Sequence, residues 1–152
     1  MIQVTKRDGS KEPLNIEKIH KVVTWACEGL AGVSVSEVEL ASHVQFYNNI
    51  KSTDIHETMI KAASELISEE SPNYQYVAGR LVNYMLRKEV YGKYDPIPLY
   101  SHYVSVMQEG YYDTELGTSY ELGEWMDLEK YIDHKRDDYL TYAAMEQFRG
   151  KY

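Results

Sequence analysis

The sequence predicts a mainly α-helical protein: a small N-terminal β-hairpin on a four-helix bundle, followed by a further helical segment. Three observations carry this expectation. Ile2 and Val4 alternate with polar residues ahead of Asp8-Gly9, which is a hairpin pattern. Residues 15–92 hold four stretches with apolar side chains every three or four positions, as amphipathic helices require. Asp95-Pro96-Ile97-Pro98 then interrupts the chain, since closely spaced prolines stop a helix.

Each element has its own signals. Asp8-Gly9 supplies two positive-φ positions for a tight turn, and Glu12-Pro13-Leu14 is the return strand. Pro13 cannot donate to a ladder, so this strand is short or at an edge. Asn15 caps the first helix, whose stripe is Ile16, Ile19, Val22, Val23, Ala26, Cys27 and Leu30, ended by Gly29 and Gly32. Ser34 or Ser36 starts the second, with Val38, Ala41, Val44 and Phe46. Ser52-Thr53-Asp54 opens the third, where Asp54 and Glu57 have capping-box spacing. Its stripe is Ile55, Met59, Ala62, Ala63, Leu66 and Ile67. Pro72-Asn73 opens the fourth, which carries Tyr74, Val77, Ala78, Leu81 and Met85 and ends at Gly92. Beyond it, residues 98–109, 120–126 and 128–148 are helix candidates, with Gly110 and Gly117 breaking the chain between them. Two regions follow, 1–92 and 93–152.

Composition separates the same two regions. Residues 1–92 carry 10 basic and 12 acidic side chains, and residues 93–152 carry 6 and 12. The 15 tyrosines divide 5 to 10. A tyrosine buries its ring but needs a partner for its hydroxyl, so 93–152 suits packing against something larger and is not expected to fold well alone. The formal charge of −8 argues against nucleic acid or a membrane surface as partner, both being polyanions. No apolar run approaches the ~18 residues of a membrane span, and the start lacks a signal peptide's apolar stretch. The single Cys27 excludes an internal disulfide, a four-cysteine zinc site and a dithiol redox pair. The expected location is the cytoplasm.

No catalytic constellation emerges. Neither of the usual glycine-rich phosphate loops is present. Glu17-x-x-His20 has the spacing used in di-metal bundles, but those need two copies, so it reads as an exposed helical pair and no metal site is expected. Cys27 lies on an apolar stripe, where a buried structural thiol is the simpler reading. Three polar clusters suit an anion. Lys6-Arg7 at the hairpin turn offers a point charge and a fork to phosphate oxygens, or is merely a solvated turn. Ser52 to His56 offers a helix N-terminus with two hydroxyls, or simple capping. Arg87-Lys88 ends the fourth helix, where cations also complement the helix dipole. Glu12 and Asn15, between hairpin and first helix, suit an amine-bearing base or a cap.

These residues resemble a known family. Val4-Thr5-Lys6-Arg7-Asp8-Gly9-Ser10 with Ile16-Glu17-Lys18-Ile19 is similar to the opening of an ATP-cone. That is the regulatory nucleotide domain at the N-terminus of many ribonucleotide reductase large (alpha) subunits. Ile50 to Thr58 resembles the second cone motif, and Tyr74 to Leu81, continuing through Leu86 to Gly92, resembles the third. The likeness extends through Ile132-Asp133-His134, Arg136-Asp137 and Tyr142-Ala143-Ala144 to Gly150-Lys151-Tyr152. That stretch is similar to the helical segment leading to the catalytic barrel in class Ia subunits of bacterial or phage type.

The resemblance implies an allosteric domain that binds ATP as activator or dATP as inhibitor, with Mg2+. It implies phosphate contacts from Lys6, Arg7 and Lys88. It implies base recognition near Glu12, Asn15 and Phe46, with Ile19 in the apolar lining. Lys18 and His56 would lie at the sugar and phosphates, and Ser52 stands where the family usually has threonine. Trp25 falls on the surface used to form the inhibited oligomer. Implied partners are the remainder of the large subunit and the small radical-generating subunit. The family's thiyl-radical and redox-active cysteines have no counterpart here, so the chain is expected to be a fragment that cannot reduce ribonucleotides alone. Competing classes are a degenerate cone acting as an interaction module, a cone-bearing transcriptional regulator and an unrelated helical scaffold. The regulator would need a zinc ribbon ahead of the cone, which begins at Met1.

Overall fold

A computed structural model describes all 152 residues. It is mostly helical, with one small sheet. The strands are β1 (Gln3–Thr5), β2 (Lys11–Pro13) and β3 (Ile50–Lys51). The helices are α1 (Ile16–Cys27), α2 (Val35–His43), α3 (Ser52–Glu65), α4 (Tyr74–Tyr91), α5 (Leu99–Gln108), α6 (Glu115–Ser119), α7 (Leu122–Glu129) and α8 (Tyr142–Lys151). A 3-10 turn covers His134–Tyr139.

The chain divides into two compact units: residues 1–86 with 137–152, and residues 87–136. The first unit contains the sheet, in the order β2-β1-β3. β1 and β2 pair antiparallel, with Val4 opposite Glu12. Pro13 lies on the edge strand, where a missing N–H costs nothing. The hairpin turn differs from the tight two-residue form expected. Gly9 N donates to Lys6 O at 3.0 Å and Lys6 N to Ser10 O at 2.8 Å. Only Gly9 is left-handed (φ +83°), as in a turn closed by a glycine bulge.

β3 was not expected. It pairs parallel to β1, with Val4 opposite Ile50 and Thr5 opposite Lys51. Gln3 N donates to Asn48 Oδ1 and Asn49 N to Gln3 O, both at 2.9 Å. Asn49 sits at φ +63°, a conformation that asparagine tolerates better than most side chains.

Beneath the sheet lies one apolar core. Val4, Ile19, Val23, Ala26, Val38, Ile50, Ile55, Met59, Ile60, Val77, Leu81 and Val82 are buried in it. Asn15 caps α1, its Oδ1 accepting from Lys18 N at 3.0 Å. Ser34 caps α2 through Glu37 N at 3.3 Å. The expected Asp54–Glu57 capping box is not formed. α3 begins directly after β3 at Ser52, no side chain caps it, and Asp54 lies within its first turn.

Chain from beyond the second unit completes this core. Met145 of α8 is buried, and Leu140 and Tyr142 pack beside it. A Cβ at Gly79 of α4 would run into Leu140 O and lie 2.9 Å from the Thr141 carbonyl carbon, so only glycine allows this approach. Residues 128–148, expected as one helix, are instead the end of α7, the 3-10 turn and most of α8.

In the second unit α5 meets α7. Tyr103 is the buried centre, stacked at 4.7 Å on Trp125. Its hydroxyl donates to Asp113 O at 2.7 Å and accepts from Gly117 N at 2.8 Å. Gly117 therefore sits inside α6 rather than breaking the chain. No helix is long and apolar enough to cross a membrane.

Candidate functional site

The parallel β1–β3 pair fixes the geometry. Thr5 stands opposite Lys51, so the next residues, Lys6 and Ser52, leave the sheet at the same end. Lys6 and Arg7 then enter the hairpin turn, and Ser52 opens α3. The uncapped N-terminus of α3 keeps amide groups and the positive end of the helix dipole available to an anion. Two clusters about 45 positions apart in sequence thus meet because a two-residue strand joins them.

β2 brings a carboxylate to the same cations. Lys6 Nζ and Glu12 Oε2 form an ion pair at 2.7 Å, both side chains partly exposed. The bond from Lys6, with its charge and that of Lys18, holds the Glu12 carboxyl below its ordinary pKa. The same bond raises the Lys6 ammonium. Asp8 accepts from Ser10 N at 2.9 Å and Ser10 Oγ at 2.6 Å, which lowers its pKa and stiffens the turn. Lys6, Glu12 and Lys18 therefore form a mutually screened charge group. Asn15 is occupied as the cap of α1, and Ile19 is buried in the core one turn further on.

The remaining predicted residues are positioned by rings. His56, in the second turn of α3, lies 5.6 Å from the ring of Tyr84 on α4. Tyr84 lies 6.1 Å from Trp25 on α1. Trp25 is half-buried against the core. Phe46 follows α2 and tilts against His43 at 5.3 Å. Tyr84 escaped the sequence reading. Its spacing of four residues from Lys88 on one helix was the available signal.

Lys88 is half-buried in the last turn of α4 and belongs to the second unit. Its neighbour Arg87 is buried there. Arg87 Nη2 donates to His134 O at 2.8 Å, and its guanidinium stands 4.8 Å over the Tyr94 ring. The Arg87-Lys88 cluster is thus split in role, with Arg87 used structurally.

His20 is not paired with Glu17. Its Nδ1 lies 2.7 Å from Glu39 Oε1 on α2. No group of three or more His, Cys, Asp or Glu side chains gathers to hold a metal ion. The chemistry on offer is a small charged surface of lysines, an arginine, one carboxylate and a helix N-terminus.

Comparison with known proteins adds to this picture. A family model described as ATP cone domain matches residues 2–89. The chain is 52% identical over 151 residues to the ribonucleoside-diphosphate reductase subunit alpha of Haemophilus influenzae, covering 99% of this chain. It is 52% identical over 149 residues, 98% of the chain, to ribonucleoside-diphosphate reductase 1 subunit alpha of Escherichia coli. It is 39% identical over 154 aligned residues to the subunit alpha of Enterobacteria phage T4. The chain spans about a fifth of the length of these curated relatives.

Proposed function

Since this chain belongs to the ATP-cone family, we propose that it is the regulatory nucleotide-binding domain of a ribonucleotide reductase large subunit. ATP is its activating effector and dATP its inhibiting one, each with Mg2+. The observation that carries this reading is the family match over 2–89. It takes in every residue assigned to the nucleotide: Lys6, Arg7, Glu12, Asn15, Lys18, Ile19, Phe46, Ser52, His56 and Lys88.

The charge group supports a simple order of events. Without nucleotide, Glu12 neutralises Lys6. An exposed ion pair of this kind is weak and easily exchanged. A triphosphate takes over Lys6, together with Arg7 and the amides at the start of α3. The released Glu12 carboxylate then accepts from the exocyclic amine of the base, beside Asn15 and Phe46. Ser52, His56 and Lys18 lie toward sugar and phosphates.

ATP and dATP differ by one 2′-hydroxyl, which a polar site can distinguish by roughly 1–3 kcal/mol. Regulation requires each nucleotide to favour a different assembly, since a ligand binding two states equally shifts nothing. The assemblies involve the remainder of the large subunit and the small radical-generating subunit, with Trp25 near the inhibited contact. The setting is the cytoplasm, without nucleic acid or membrane as partner. Residues 1–92 carry the nucleotide response and 93–152 lead toward the catalytic part of the subunit.

Calorimetric titration of the chain with ATP and dATP in magnesium tests this. Binding is expected for both. Lys6→Ala and Lys88→Ala each weaken it at least tenfold, with the helical circular dichroism intact. Wild-type binding in both variants would refute the site. A flat titration of folded wild type would leave an interaction module that has lost its nucleotide.

A further inference from the structure

We infer that Arg149 of α8 is a positioning residue for α3, through which nucleotide binding and the seating of α8 act on one another. This rests on the nucleotide-binding reading above. It adds an element outside the stretch 2–89 that the family model matches.

α3 presents His56 and Glu57 at consecutive positions in its second turn. His56 faces the Tyr84 ring. Glu57 Oε1 accepts from Arg149 Nη1 at 2.7 Å, across 92 positions of sequence. Arg149 is braced on α8 by Glu146, three residues earlier. Burial works against its charge, yet the Glu57 and Glu146 carboxylates hold the guanidinium above its ordinary pKa. A helix is rigid over one turn, so any shift of α3 that brings His56 to a bound nucleotide also moves Glu57.

α8 cannot simply follow such a shift. Met145 is 4% exposed in the core. The segment ahead of α8 lies against Gly79. Arg80 Nε donates to Asp138 O at 3.1 Å, while its Nη1 donates to Ala26 O at 3.2 Å and Glu28 O at 2.7 Å. One guanidinium thus ties α4, the end of α1 and the approach to α8 together. With α8 anchored, the Arg149–Glu57 pair registers where α3 stands.

The test combines hydrogen exchange and calorimetry on the whole chain. Saturating Mg-ATP is expected to slow exchange of the residue 145–150 amides at least fivefold, the lower end of ordinary coupling between sites. The α5 amides serve as reference. Arg149→Gln and Glu57→Gln should each remove that protection and weaken ATP binding by about the same factor, as linkage requires. Arg149→Lys should restore part of both. Two outcomes overturn the inference while leaving the nucleotide reading intact. One is ATP binding with α8 exchange unchanged. The other is a lowered thermal midpoint in Arg149→Gln with wild-type ATP affinity, which a purely structural pair would give. If wild type binds no ATP, both readings fall.

Discussion

The Cys27 thiol lies on the buried stripe of α1. Burial pushes its pKa up to about 11, the Arg80 charge pulling it back only in part. At pH 8 it is therefore a thiol rather than a nucleophilic thiolate. A disulfide exchange reagent should react with it far more slowly in the folded chain than in urea, and equal rates would contradict the burial. The sign of the pH dependence follows. The folded state keeps this proton after the unfolded chain, with a pKa near 9.0, has lost it. Stability is then intact below about pH 9 and falls by about 1.4 kcal/mol per unit up to about pH 11. Tyr74 adds in the same direction, raised by burial and by the 2.6 Å bond it donates to Glu37. Cys27→Ala should flatten part of the alkaline slope in urea titrations, and an unchanged slope would remove the thiol from the account. The burial of Cys27 was legible in the helical stripe. The partner of His20 was not, because Glu39 lies on another helix and spacing along one helix reveals only neighbours on that helix.

Elements long enough to repeat a period were the legible ones. α1, α3 and α4 largely follow their apolar stripes, and Asn15 and Ser34 cap where their chemistry suggested. The stripe expected for α2 is cut short: the helix ends at His43, so Phe46 falls beyond it and Val44, at its C-cap, is 74% exposed. Two-residue β3 has no period to read, yet it carries Ser52, the first residue of α3, to the sheet end where Lys6 and Arg7 emerge. Residue patterns alone thus left the candidate site as separate clusters, and only the family resemblance joined them, because the strand that brings Lys6 and Ser52 together is two residues long. The capping box failed for a related reason. Asp54 has the spacing, but β3 runs straight into α3 and makes Ser52 its first residue. The approach to α8 is a second such case, since it depends on the missing side chain of Gly79. In mid-helix, alanine normally stabilises by up to about 1 kcal/mol over glycine. Here its Cβ meets main-chain atoms of residues 140 and 141, and such overpacking costs about 1–3 kcal/mol. Gly79→Ala should therefore lower the thermal midpoint by several degrees. A raised midpoint would mean that the approach to α8 yields easily.

At the scale of the molecule, the first unit leaves the chain at residue 86 and resumes at residue 137. A boundary drawn from the family match would end it near residue 89, and one drawn from the prolines and composition near residue 92. Either cut removes Met145, Leu140 and Tyr142 from the core. It also removes the Arg149–Glu57 pair and one of the three carbonyls that hold Arg80. Burying one methionine contributes about 1.5–3 kcal/mol, against a total stability of about 5–15 kcal/mol for an ordinary domain. The fragment 1–92 should therefore unfold at a clearly lower urea concentration than the full chain, or remain loosely packed. Met145→Ala in the full chain isolates one contribution and should cost about 2–5 kcal/mol. A peptide spanning residues 137–152, added to the fragment, should recover part of the lost stability, because a ligand bound only by the folded state stabilises it by mass action. If fragment 1–92 unfolded at the same midpoint as the whole chain, α8 would be an appendage, and the core would already be complete without it.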